Sequence, residues 1–519
     1  MYSPDRSHFS KNHDSIEGFR CRRAHHDELQ SQQRDHRARP SGVLPGRPWD
    51  PIWDPIIDPA GPSSSMSTLL KRARQIITND DQRTVLDDAD ILIVDGRIRA
   101  IGSALDHDPD RVIDCSGCVV LPGFVNTHHH LYQTLTRNLP GAQDAGLFDW
   151  LQFHYPIWAN LDAGTVYAGA LVGLAELLLT GCTTSTDHFY VFPKGQPKDL
   201  LDNEIRAARE LGIRFLPTRG SMSLGESDGG LPPDSIVQTE SDILDDCQRL
   251  ISAYHDPGPD SMCRIGLAPC SPFSVTHDLM RETAALAREN NLLIHTHLAE
   301  TIDEERYCLD QFGMRPVALM DSLGWLTANA WYAHCVHLDD SEIASFASHG
   351  VGVAHCPTSN MRLGSGVARV PAMRRAGVPV GLGVDGSASN DSSDMLGELR
   401  NCLLAHRAVG GPQAIRLQEV LDLATRGGAG ILGWDIGALA PGKLADIAVF
   451  DTRGLAYAGG DHDPAAALVY CGFDHRARFV IVQGDVVVNE GRLVHMEEAD
   501  IAAIGRRESR ALLERSGLI

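Results

Sequence analysis

The sequence predicts an α/β protein: a (β/α)8 barrel, with a small β-sandwich built from both ends of the chain. Three observations carry this. Between residues 122 and 436, short apolar runs alternate with helical patterns such as Thr165 to Leu179 and Asp278 to Arg288, as expected of βα units on a parallel sheet. That stretch of about 315 residues is long enough for eight such units with insertions. On either side of it, the pattern changes to strands broken by Gly-containing turns.

In chain order, residues 1–65 are polar, rich in Arg, His, Asp and Pro, and close with Gly61-Pro-Ser-Ser-Ser65. Such a composition cannot bury enough apolar surface to order itself, so a disordered extension is expected. Trp49 and Trp53 are its candidate anchors if it docks on the body or on a neighbouring subunit. Residues 67–121 read as the first half of the sandwich, with strands at Gln75-Ile-Ile-Thr78, Asp90-Ile-Leu-Ile-Val94 and Ile98-Arg-Ala-Ile101. Asp95-Gly96 supplies a two-residue hairpin turn between the last two. Residues 122–436 form the barrel, 437–496 the second half of the sandwich and 497–519 a C-terminal helix.

With 43% hydrophobic and 22% charged residues, the chain has the make-up of a globular enzyme with a large core. A formal net charge of -22 argues against nucleic acid or an anionic membrane as partner, because both need a basic surface. Of the 12 cysteines only Cys115 and Cys118 are closely paired, and one pair cannot complete a structural zinc shell. No apolar run approaches the length of a membrane span or forms a signal-peptide core, so a reducing cytoplasm is the expected location.

The most informative local feature is His128-His-His130, after the apolar run that includes Val119-Val120. In extended chain, positions 128 and 130 project to one side and His129 to the other, an arrangement suited to a divalent metal. Three later segments also follow short apolar runs: His295-Thr-His-Leu-Ala-Glu300 after Leu292-Leu-Ile294, Ala333-His-Cys335, and Asp385 after Val378 to Leu382. In a barrel of this class, active sites sit at the carboxyl ends of the strands.

These motifs, in this order, resemble the amidohydrolase superfamily and its branch of aminohydrolases acting on purines, pyrimidines and triazines. The wording of Asn126 to Arg137, with Thr218-Arg-Gly-Ser-Met222, is most similar to 8-oxoguanine deaminases, and hydroxyatrazine-type ethylaminohydrolases share much of it. The resemblance covers roughly residues 67–495. It implies that the barrel is of the distorted, metal-dependent hydrolase type and that the two strand-rich blocks pack together. Met66 reads as an ordinary start for such a protein, and homo-oligomers are common in the family.

By the same resemblance, His128 and His130 bind metal from the first barrel strand, His297 from the fifth and Asp385 from the eighth. Three imidazoles and a carboxylate suit zinc, with ferrous iron as a substitute. Some relatives hold two metals bridged by a carboxylated lysine on the fourth strand. The lysines here are Lys11, Lys71, Lys194, Lys198 and Lys443, so none falls in that strand, and one metal per subunit is expected. Such a metal lowers the pKa of water to about 7.

Glu300 falls at the H-x-x-E position of the deaminase branch, where it shuttles a proton to the ring nitrogen of an attacked C=N bond. Asp385 accepts the water proton, and His334 polarises the developing tetrahedral centre. The sequential pair H-x-E and P-C-x-x-C of cytidine deaminases is absent, as are H-E-x-x-H and the P-loop. The partner implied is therefore a small heterocycle. Gln133, Arg219, His188, Trp158 and Tyr155 are the candidates for reading it, through amide, guanidinium, imidazole or ring stacking. Cys335 and Cys356 read as buried small residues rather than nucleophiles.

The leading expectation is deamination of 8-oxoguanine to urate. Its rivals are deamination of guanine or another oxopurine, a hydroxytriazine alkylaminohydrolase and, from another class, a catalytically inactive scaffold of the same fold. Because residues 1–65 carry no recognised site, a chain starting at Met66 is expected to keep its metal and full activity. An activity assay on the truncated protein checks this: loss of turnover with normal yield would mean that the arm completes a pocket or an interface.

Overall fold

The protein is described here by a computed structural model covering residues 66–519, so the expectations for residues 1–65, Trp49 and Trp53 included, lie outside the described residues. Five strands open the chain: β1 (Ser67–Ile77), β2 (Val85–Val94), β3 (Arg97–Gly102), β4 (Arg111–Asp114) and β5 (Cys118–Pro122). Asp95 and Gly96 both have positive φ, 51° and 72°, as the tight β2–β3 hairpin requires.

Eight parallel strands then close a barrel: β6 (Phe124–Asn126), β7 (Cys182–Phe189), β8 (Arg214–Ser221), β9 (Gly266–Pro269), β10 (Ile294–Leu298), β11 (Ala330–His334), β12 (Gly352–His355) and β13 (Val380–Leu382). This is the (β/α)8 architecture expected. Its interior is filled by Val125, Leu216, Trp331 and Ala354, with Trp331 Nε1 donating to the Thr127 carbonyl at 3.0 Å. The barrel is thus a packed core, and chemistry is confined to its rim.

The chain returns to the first sheet as β14 (Ile447–Asp451), β15 (Phe479–Val482), β16 (Asp485–Asn489) and β17 (Arg492–Leu493). One nine-stranded sheet results, and it is closed between the two chain ends by β14 pairing with β5. Its apolar core draws on both ends, with Leu70, Ile76, Ile91 and Ile98 from one and Ile447, Phe479 and Ile481 from the other. Cys115 and Cys118 are buried in that core. The helix Glu498–Arg515 packs on the helix Ala163–Leu179.

One expectation is corrected. Val119-Val120 does not belong to the first barrel strand: it pairs with Gln75-Ile76 of β1 and with Val449-Phe450 of β14. Continuous apolar character cannot tell a strand of one sheet from a strand of the next, and the chain crosses between them at Gly123. A Cβ there would lie 2.2 Å from the Thr183 side chain, so only glycine permits the crossing.

Candidate metal centre and active site

The site lies at the carboxyl ends of the barrel strands. His128 and His130 follow β6, Asp187 to Tyr190 end or follow β7, His297 is on β10, His334 ends β11 and Asp385 follows β13. Three strand ends turn through left-handed residues that are not glycine: Ala299 (φ 50°), His334 (φ 72°) and Asp385 (φ 66°). Each such residue costs about 1–2 kcal/mol, strain of the kind that collects at functional sites. The Asp385 turn is held by its N–H on the His128 carbonyl at 3.0 Å. Next to it, Gly383 packs so tightly that a Cβ would come within 2.9 Å of the His128 Cβ.

The hydrogen-bond network assigns the tautomers. His130 Nδ1 donates to the His188 carbonyl (2.7 Å) and His297 Nδ1 to the Cys270 carbonyl (2.6 Å), because a carbonyl oxygen can only accept. His295 Nδ1 donates to the Trp331 carbonyl (2.7 Å), so its Nε2 is free to accept the Nδ1–H of His128 (2.8 Å). Each of His128, His130 and His297 therefore turns an unprotonated Nε2 inward.

His130 Nε2 and His297 Nε2 stand 3.0 Å apart, too close for two lone pairs with nothing between them. His128 Nε2 is buried without a hydrogen-bond partner. Asp385 Oδ1 lies 3.3 Å from His128 Nε2 and 3.4 Å from His130 Nε2. Burial, the main cause, depresses the pKa of all three rings, so they stay neutral. Burial alone would raise the Asp385 pKa, yet it lies well below the usual carboxylate range, so the carboxyl is ionised. Four acceptors converging with no proton among them are what a divalent cation requires, so the residues fit a bound metal.

On the open side of this cluster stands Glu300. Its Oε2 is 3.5 Å from His334 Nε2, and its Oε1 accepts from Ser365 Oγ at 3.4 Å. Burial, reinforced by the charges of Asp385 and Glu304, raises its pKa well above the carboxylate range, which favours the protonated acid. As placed, Asn360 donates to His334 Nδ1 at 2.9 Å, which leaves the proton on Nε2, facing Glu300 and Asp385. Burial lowers the His334 pKa to about 4, so the ring is a neutral donor.

These groups border a tight cleft with about 30 Å³ of water-accessible space. Its walls are Leu147, Trp150, Leu151 and Tyr155 from the helix Leu147–Trp158, with Gln133, Tyr190, Phe273 and Leu363 around the mouth. The Gln133 Oε1 and Tyr155 hydroxyl are buried without partners. A Cβ at Gly386 would lie 1.9 Å from Gln133 Oε1, so that glycine leaves room for the amide. His355, Cys402 and His406 form a separate buried group, in which the two Nε2 atoms hydrogen-bond at 3.1 Å, and it does not line the cleft.

Residues 119–487 match the model of the amidohydrolase family. The chain belongs to the amidohydrolase family. It is 48% identical over 401 residues to an 8-oxoguanine deaminase of Pseudomonas aeruginosa, covering 77% of this chain and 89% of that one. It is 35% identical over 457 residues to a hydroxydechloroatrazine ethylaminohydrolase of Pseudomonas sp. strain ADP, covering 84% and 94%. Among solved structures, an atrazine chlorohydrolase of Arthrobacter aurescens TC1 complexed with zinc superposes with a TM-score of 0.82 at 36% identity, covering 85% of this chain and 100% of that one. This amidohydrolase is accordingly a hydrolase of carbon–nitrogen bonds, of the deaminase and aminohydrolase kind, with a site for a divalent metal.

The structure brings together His128, His130, His297, Glu300, His334 and Asp385, and places Gln133 and Tyr155 in the cleft wall. Three substrate candidates stand elsewhere. Arg219 is fully buried: it pairs with Asp246 (2.9 Å), donates to the Gly220 carbonyl and Gln238, and stacks over Phe192. Its donors are occupied within the fold, and it does not line the cleft.

Trp158 is in the core, with Nε1 on Thr136 Oγ1 at 3.2 Å and its ring stacked on His154. His188 donates Nε2–H to the Ala268 carbonyl at 2.8 Å and stacks on His297; a ring nitrogen of it lies within 4.8 Å of those of His128, His130 and His297, so it belongs to the imidazole cluster and does not line the cleft. Trp150, Tyr190 and Glu304 line the cleft and were missed. A helical stripe 147, 150, 151, 154, 155, 158 runs along one face, and its spacing was the available signal for Trp150.

Proposed function

We propose that this amidohydrolase converts 8-oxoguanine to urate and ammonia, with one zinc ion per subunit held by His128, His130, His297 and Asp385, ferrous iron being the alternative. The observation that carries the reading is a buried Glu300, 3.5 Å from His334 Nε2, beside three converging Nε2 atoms and the Asp385 carboxyl. A bound divalent cation supplies Lewis acidity that lowers the pKa of water to about 7. Asp385 takes one proton from the attacking water and hands it to the departing amine, which leaves as ammonia. Glu300 gives its proton to the ring nitrogen as the C–O bond forms, and recovers the second water proton when the carbonyl forms. The His334 Nε2–H, aimed between the two carboxyls, donates to the oxygen being added.

The cleft supports a flat, neutral base. Among the described residues no lysine or arginine lines it, which argues against phosphorylated nucleotides. Trp150, Tyr155, Tyr190 and Phe273 offer aromatic faces, and the unpartnered Gln133 Oε1 suits a ring N–H. The 48% identity to the Pseudomonas aeruginosa enzyme favours 8-oxoguanine among such bases. An inactive scaffold has no use for a buried acid beside a converging ligand set.

An ammonia-release screen over oxopurines, pterins and aminotriazines tests the reading. The highest kcat/KM is expected on 8-oxoguanine. Preferential release of an alkylamine from a hydroxytriazine would replace this substrate with the triazine alternative.

A further inference from the structure

We propose that Glu304 is the positioning residue for Glu300, acting by pinning the two consecutive backbone N–H groups of Ala299 and Glu300. The inference rests on the reading of Glu300 as the proton donor. Thr301-Ile-Asp-Glu304 has the sequence of a capping box at the start of the helix Ile302–Phe312, and Thr301 Oγ1 does accept from Glu304 N at 3.2 Å. In that motif the carboxylate returns to the N–H of the capping residue, here Thr301. Instead it reaches farther back: Oε1 accepts from Ala299 N at 2.7 Å and Oε2 from Glu300 N at 2.9 Å.

The pinned turn is one that the chain does not adopt unaided. Ala299 has φ 50°, a left-handed conformation unfavourable for a residue with a Cβ. It comes two residues after His297 and sets where Glu300 stands relative to the metal ligands. The Ala299 carbonyl is held by His337 N (3.0 Å) and the Leu298 carbonyl by Cys335 N (3.0 Å), so the loop after β10 is tied to the end of β11. The Glu304 fork is the side-chain part of this clamp.

Glu304 is 1% exposed and, among the described residues, has no ion-pair partner. A buried carboxylate is costly unless hydrogen-bonded, and here both oxygens are engaged by the two N–H groups. It borders the cleft, but the two N–H groups orient both of its oxygens toward the Ala299–Glu300 backbone, so it acts through Glu300 rather than on the reacting atoms. Misplacement of a reacting group by about 1 Å costs on the order of 10²-fold in rate.

The test is a double-mutant cycle on the metal-loaded enzyme. Glu304→Gln leaves one acceptor and sets an N–H donor against the other backbone N–H. Its kcat is expected to fall roughly 10- to 100-fold, with KM nearly unchanged and metal content intact. Added to Glu300→Gln, it should cause no further loss, because the group it positions no longer transfers a proton.

Wild-type kcat in Glu304→Gln, with Glu300→Gln impaired, overturns the positioning role alone. So does a full additive loss in the double variant, or a fall in kcat explained by lost metal or a lowered melting temperature. Full turnover in Glu300→Gln instead overturns the proton-delivery reading underneath.

Discussion

Replacing His128 or Asp385 with Ala is expected to take bound metal from about one equivalent per subunit to none and to abolish turnover. The reason lies in the convergence of donors. His128 Nε2 is buried with no hydrogen-bond partner, and Asp385 Oδ1 lies 3.3 and 3.4 Å from two of the three ring nitrogens. Loss of either ligand leaves a set that cannot close around a cation. His129→Ala is the control. That ring points to Ser393 Oγ at 2.9 Å, outside the convergent set, so the variant should keep its metal. Elemental analysis after dialysis measures all three. Two equivalents in the wild type would contradict the single site inferred from β9, Gly266–Pro269, which carries no lysine.

Glu300→Gln is expected to lower kcat by at least about 10²-fold while metal stays near one equivalent. Glutamine keeps the size and one acceptor oxygen for the Ser365 hydroxyl, but it cannot give up a proton. The active form of the acid is the protonated one, and burial raises its pKa. Wild-type activity should therefore fall as pH rises through the Glu300 pKa, and that limb should vanish from the variant's profile. Loss of metal in Glu300→Gln would make the residue a ligand. Retention of both metal and full ammonia release would mean that water activation alone suffices.

Much of the candidate site was legible because its signals are local. Alternation along extended chain separates His129 from His128 and His130, and the structure shows the same division. The run from His297 to Glu300 is short enough that one strand end and one turn carry both. What was not legible depended on partners far away in sequence. Arg219 looked available because nothing nearby shows that Asp246 and Gln238 will claim its donors. Trp158 continues the apolar stripe of Trp150 and Tyr155, and only the depth at which the helix meets the barrel decides which ring reaches the cleft. Val119-Val120 and Phe124-Val125 are equally apolar, yet they belong to different sheets.

By itself, the sequence determined the βα alternation, the order of the metal-site motifs, the absence of a lysine on the fourth strand and a charge unsuited to polyanions. These follow from residue order, composition and the two-residue period of extended chain, none of which needs long-range contacts. Tertiary structure alone decided which nitrogen of each histidine faces the centre, since that depends on carbonyls from Cys270, His188 and Trp331 on other strands. It also decided that the Glu304 carboxylate passes over its own helix cap to hold Glu300. Closing eight strands brings these donors and acceptors within 3 Å across 27 to 58 residues of chain, and His128 to His295 across 167, and hydrogen bonds at that range leave no trace in local pattern.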